Sequence, residues 1–186
     1  TAFLERTQRV TVGGMVVPAI GIRRHPIDVA LDFASLARLH PGRVALCVGT
    51  GEAMNEQTTT GLWPPLRERM ERTTEAIELI RKAWTADDYF HWKGKHFTSF
   101  FYLYDKPEQP IPIYCAGNGP KMAYNAGYYA DGHVAVGHRG QHLHRPRRDR
   151  NDASARRRHP DRRDATGDNG AVRATGHRLP GETHRR

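Results

Sequence analysis

The sequence predicts an α/β protein organised around parallel strands. Three observations carry that expectation. Apolar runs of strand length at residues 9–17, 43–49, 111–117 and 131–137 alternate with helical patterns. The run RVALCVG at 43–49 is apolar almost throughout, as a strand covered on both faces requires. Two of the runs end in glycine turns, GTGE at 49–52 and GNGP at 117–120, at the strand end where parallel sheets gather ligands.

RVTVGGMVV at 9–17 reads as a buried strand interrupted by Gly13 and Gly14 and ended by Pro18; the glycine pair predicts a bulge or the close approach of another group. Pro26 takes the first position of the next helix. Ala30, Phe33, Ala34 and Ala37 recur at helical spacing toward His40, and HPG at 40–42 stops the helix. After the strand at 43–49 a loop is expected through Trp63 and Pro64. A long helix then runs from about Pro65 to Trp84, with Leu66, Met70, Thr73, Ile77, Ile80 and Trp84 three or four residues apart and the charged Arg67, Glu68, Arg69, Glu71 and Arg72 mostly facing water. YFHWKGKHF at 89–97 predicts a hairpin or extended excursion around Lys93-Gly94-Lys95. IPIYCAG at 111–117 is the next strand, Pro120 opens a helix to about Tyr129, and DGHVAVG at 131–137 starts a further strand.

The chain's 186 residues suffice for one domain with a real core. A net charge of +9 would ordinarily point to nucleic acid or an acidic surface. Residues 138–186, however, hold 14 Arg, no Lys and 6 acids, leaving the preceding part close to neutral. That segment has only Leu143, Val172 and Leu179 as large aliphatics and no aromatic, so it cannot build a core. The expected division is a folded domain at 1–137 and a disordered arginine-rich tail at 138–186. A shifted reading frame in GC-rich DNA is the favoured origin of the tail, with a genuine basic tail as the rival. A nucleic-acid-binding module acting through the tail is the alternative from another class, disfavoured by the lack of lysine and interleaved aromatics. Cys47 and Cys115 lie inside apolar runs and read as buried thiols of a reducing cytosol, with pairing open if their strands share a sheet. No run approaches the ~18 apolar residues of a membrane span and no signal segment opens the chain. Cytoplasmic localisation and no membrane partner are expected.

Chemistry concentrates at the two glycine turns. In Gly49-Thr50-Gly51-Glu52-Ala53-Met54-Asn55-Glu56 the third glycine of a dinucleotide fingerprint is missing, and no Gly-Lys-Ser/Thr follows to make a Walker loop. Glu52 would repel a phosphate at this turn, so it either faces a proton donor or reacting group, or complements a helix dipole. Ala116-Gly117-Asn118-Gly119-Pro120-Lys121 offers an anion site at a helix N-terminus, or a tight strand-to-helix turn with a solvent-facing lysine. The histidines, among them His25, His40, His91 and His96, show no metal-ligand spacing and read as turn and surface residues; no metal is expected. Trp84 reads as core, and Trp63 has the better claim on a ligand ring.

HPGRVALCVGTGEAMNE, GLWPPLRERMERTTEAIELIRKAW, GKHF and IPIYCAGNGPKMAYNAGYYADG together resemble the luciferase-like superfamily, in its branch that uses coenzyme F420 and includes glucose-6-phosphate dehydrogenase, secondary alcohol dehydrogenase and methylenetetrahydromethanopterin reductase. The resemblance covers about residues 5–137. It implies a (β/α)8 TIM barrel of some 250 residues or more, of which the chain would carry the middle, about strands 3 to 6. It implies an oxidoreductase passing hydride between a small substrate and the deazaflavin, with FMN and a monooxygenase reaction as the nearer alternative. Carried over by motif, Glu52 corresponds to the catalytic carboxylate. Thr50, Gly51 and Asn55 correspond to residues lining the deazaflavin. Gly117, Asn118, Gly119, Lys121 and Met122 correspond to the turn holding its phosphate tail, with Asn118 replacing a glycine of the commoner pattern. The 13–18 segment corresponds to a bulged strand beside the ring. The family's general-base histidine falls upstream of the chain and its sugar-phosphate residues fall in or beyond the tail, so a truncated, inactive chain is expected, and a homodimer for the whole protein.

Overall fold

The computed structural model describes residues 2–136 and 141–144. In chain order the elements are α1 (Ala2–Arg6), β1 (Val12–Val17), α2 (Pro26–Leu39), β2 (Val44–Val48), α3 (Ala53–Thr60), α4 (Leu66–Thr85), β3 (Phe90–Lys93), β4 (Thr98–Phe101), β5 (Ile113–Ala116), α5 (Pro120–Tyr129), β6 (Gly132–Val136) and β7 (Gln141–His144). One sheet has the order β1-β2-β5-β6-β7, and β3 with β4 forms a separate two-stranded ribbon. β1, β2, β5 and β6 run parallel to one another. The parallel α/β class read from the sequence is therefore observed, in the arrangement of part of a (β/α)8 barrel.

The central strand β2 is buried at every residue, which explains its unbroken apolar run. Behind the sheet, α2 buries Val29, Ala30, Phe33, Ala34 and Ala37. α4 buries Ala76, Ile77, Leu79, Ile80, Ala83 and Trp84. Each fully buried Leu, Ile or Phe stabilises the fold by roughly 1.5–3 kcal/mol. The Trp84 indole donates a 2.9 Å bond to the Ala30 carbonyl, tying α4 to α2; this is the core tryptophan expected from the helical stripe.

Both meanings offered for the Gly13-Gly14 pair hold. The β1–β2 register shifts between Gly14 and Val17, and a Cβ on Gly14 would stand 2.5 Å from the Phe33 ring, so α2 packs where only glycine fits.

The structure departs from the sequence reading in two extra helices, one strand boundary, two histidines and the stretch after Gly137. α1 and α3 occupy stretches for which no helix was expected. The hairpin expected at 89–97 forms, with its second strand, β4, displaced beyond that stretch to Thr98–Phe101. His40, expected at the surface, is buried at the end of α2, and the His96 side chain is only 10 % exposed, beside Glu71. Beyond Gly137, where no element was expected, β7 pairs antiparallel with β6; the expectations for the remainder of 138–186 lie outside the described residues.

Candidate active site

At the C-terminal ends of β1, β2 and β5 a cavity of ≈ 430 Å³ opens. β2 runs into the turn Gly49-Thr50-Gly51-Glu52, and all four residues line the cavity together with Asn55 and Glu56 of α3. The bulged end of β1 supplies Met15, Val16 and Pro18, and the loop after it supplies Arg23. Opposite stand Ala116, Gly117 and Asn118 from the end of β5, with Val134 of β6.

The turn after β2 is built by its residue types. Gly51 has φ +72°, a left-handed conformation that glycine adopts without strain, and a Cβ there would lie 3.0 Å from Glu56 Cγ and 3.3 Å from Pro18 Cβ. Glu52 is the N-cap of α3 but makes no side-chain cap bond. Its exposed carboxylate instead accepts from Asn55 Nδ2 at 3.3 Å. Arg69 of α4 supports the turn from behind, donating from Nη1 to the Thr50 carbonyl at 3.3 Å. On the other wall Gly117 N–H donates to the Val134 carbonyl at 3.0 Å, and the His133 ring nitrogen lies 2.7 Å from the Gly117 carbonyl. The turn leading into α5 is thus pinned to β6 on both sides.

Of the residues singled out from sequence, Thr50, Gly51, Glu52, Asn55, Gly117 and Asn118 line this one cavity. Gly119 caps α5 and does not line it. Lys121 is exposed and faces a different groove, between α4 and α5, beside Met70 and Glu71. Met122 is buried, packed toward Gly117. Trp63 is away from the cavity, its ring covered by the Arg69 guanidinium at 3.7 Å.

Two charged residues of the cavity escaped the sequence reading. Glu56 is completely buried, and its Oε1 accepts from Arg23 Nε at 3.2 Å and lies 3.1 Å from Arg23 Nη2. Only its place one helical turn after Glu52 could have pointed to it, and that signal requires knowing that α3 is a helix. Among the described residues no cluster of His, Cys, Asp or Glu could hold a metal ion, and no helix is long and apolar enough to cross a membrane.

The model of the luciferase-like monooxygenase family matches residues 1–167. The chain belongs to that family. Among luciferase-like relatives, the F420-dependent glucose-6-phosphate dehydrogenase of Gordonia bronchialis is 42% identical over 148 residues, covering 75% of this chain and 42% of the relative. The enzyme of the same description from Mycobacterium avium is 39% identical over 153 residues, covering 78% and 44%. Among solved structures, an F420-dependent secondary alcohol dehydrogenase in complex with an F420-acetone adduct superposes with TM-score 0.69 at 40% identity, over 73% of this chain and 41% of that one. The coenzyme F420-dependent tetrahydromethanopterin reductase of Methanopyrus kandleri shares the fold, with TM-score 0.61 at 22% identity over 71% and 41%. The chain spans less than half the length of these relatives.

Proposed function

We propose that the chain forms the cofactor-facing part of an F420-dependent oxidoreductase that moves a hydride between a small substrate and the deazaflavin. The observation that carries this reading is the convergence of the Thr50-to-Asn55 turn and the Gly117-Asn118 turn on one cavity at the C-terminal ends of neighbouring parallel strands. The cavity's residues fit a flat heterocycle: Met15, Val16, Pro18, Ala116 and Val134 give apolar walls, while Thr50, Asn55 and Asn118 bring hydrogen-bonding groups. Its ≈ 430 Å³ lies within the roughly 300–1,000 Å³ of small-molecule sites. Relatives about 40% identical carry F420 in their names, which supports F420 over FMN.

When bound, F420 supplies the carbon that takes or gives the hydride. The protein's part is to wall the ring between two backbone turns and to handle the proton released or taken up at the substrate as the hydride moves. Glu52, exposed at the cavity and oriented by Asn55, is placed for that proton. Asn118, Gly119, Lys121 and Met122 are proposed to hold the cofactor's tail along the start of α5, Gly119, Lys121 and Met122 doing so from outside the cavity. The substrate class is an alcohol, a sugar phosphate or a pterin-type compound.

Titrating the chain with F420 and following its visible absorbance and fluorescence tests the reading, with FMN as the competing ligand. Saturable F420 binding is expected, and preference for FMN or binding of neither overturns it. In the full-length protein, with a panel of alcohols and sugar phosphates, Glu52→Gln is expected to keep F420 affinity but lower bleaching of the cofactor by about 10²–10⁴-fold, the range for loss of a general acid or base.

A further inference from the structure

Arg23 and Glu56 are a charged pair for which the proposed hydride chemistry has no use. Glu56 is fully buried on α3, while the Arg23 side chain is 40 % exposed at the cavity wall. A buried carboxylate needs a cationic partner, and Glu56 has Arg23, which approaches only through Oε1. Glu56 Oε2 has no hydrogen-bond partner among the described residues. The contact fixes one edge of the guanidinium. An arginine carries five N–H donors in a rigid fork, so an edge remains available at the cavity. Arg23 is the one cation among the described residues lining it.

We propose that Glu56 is a positioning residue that holds Arg23 so that its free guanidinium edge receives an oxyanion of the bound ligand, a phosphate in the first instance. Two phosphate sources are compatible with the proposed function, on which the inference partly rests: the phosphate of the cofactor's tail and that of a sugar-phosphate substrate. Fork geometry distinguishes this site from a point charge, because arginine can meet two phosphate oxygens at once where lysine meets one. The site is also distinct from the start of α5, since Arg23 enters the cavity from the loop between β1 and α2.

The test is calorimetric titration of the chain with inorganic phosphate, F420, a deazaflavin lacking the phosphate tail, and glucose 6-phosphate. Wild type is compared with Arg23→Lys, Glu56→Gln and the double variant Arg23→Gln/Glu56→Gln. Arg67→Gln, whose side chain is 90% exposed on α4, serves as a charge-loss control. The double variant replaces the ion pair by two neutral amides, so no lone charge is left buried, and circular dichroism checks that it folds. Phosphate affinity is expected to fall at least about tenfold in Glu56→Gln and in the double variant, with a smaller loss in Arg23→Lys and none in Arg67→Gln, as fits a charge-assisted bond. A parallel loss for F420 but not for the tail-less deazaflavin assigns the site to the cofactor; a parallel loss for glucose 6-phosphate alone assigns it to the substrate. If the folded double variant binds phosphate as wild type does, or wild type binds none, the inference is wrong. Phosphate binding that depends on Arg23 in a chain that ignores F420 would instead sustain the inference and defeat the proposed cofactor.

Discussion

The left-handed backbone of Gly51 and the two groups closing on it make this turn sensitive to one methyl. Gly51→Ala would place an L-residue at φ +72° against Glu56 and Pro18, which costs about 1–2 kcal/mol for the backbone alone. Urea unfolding is expected to show that loss, together with weakened F420 binding. A loss of stability with F420 affinity unchanged would remove this turn from the binding surface. Glycine and a following acid are visible in a sequence, and so this half of the cavity was legible. Glu56 and Arg23 were not. A buried carboxylate reads as a surface residue in any polarity pattern, and its partner is 33 positions away in the chain, beyond the reach of periodicity. The cavity faces of Met15 and Val16 were legible only as a glycine-interrupted strand, because the register shift that turns them to the cavity arises from pairing with β2.

Glu75 makes three of the bonds that fasten the β3–β4 ribbon to α4. Glu75 accepts from the Trp92 indole at 3.1 Å, from the His96 backbone N–H at 2.9 Å and from the Phe97 N–H at 3.0 Å. Hydrogen bonds to a charged group contribute about 1.5–3 kcal/mol each, so Glu75→Ala is expected to destabilise the chain by at least about 2 kcal/mol and to speed hydrogen exchange in β3 and β4. Gly94→Ala should reproduce the effect, since its Cβ would fall 1.7 Å from Glu75 Oε1. One turn earlier on α4, Glu71 bonds Lys95, and this bond above all, with those to Arg67 and His96, pulls its carboxyl from 4.5 down to about 2. Because the folded value is depressed, the associated stability is complete above pH 4.5 and drains away as pH falls toward 2. The melting-temperature gap between wild type and Glu71→Gln should therefore narrow across that window and be constant above it. α4 itself was legible throughout, as a long amphipathic stripe overrides every local ambiguity. α3 was not, because AMNEQTTT has no apolar stripe and its one buried residue is a glutamate.

Across the whole molecule the order of strands and helices was legible because each parallel strand carries its own apolar run and each helix its own punctuation. Pairing was not, since β2 meets β5 across two helices and a ribbon. That pairing sets Cys47 and Cys115 in neighbouring strands, both free and buried. Burial drives the Cys47 thiol up to about 11 and the Cys115 thiol to about 12 from the usual 9.0. The folded sheet keeps these protons where the unfolded chain would release them, so stability should decline as pH climbs from 9 toward 11. Alkylation at pH 8 should be slow for both thiols and accelerate together in urea, reporting separation of the central strands. Rapid labelling of native protein would show that the sheet opens locally.

The direction of β7 has a consequence for traffic along the chain. Three successive parallel strands deliver their downstream loops to the same mouth, which is how β1, β2 and β5 come to share one chamber. A strand that runs back against β6 ends at the opposite end of the sheet, so β7 brings His144 level with His133 at the start of β6, turned away from that chamber rather than toward it.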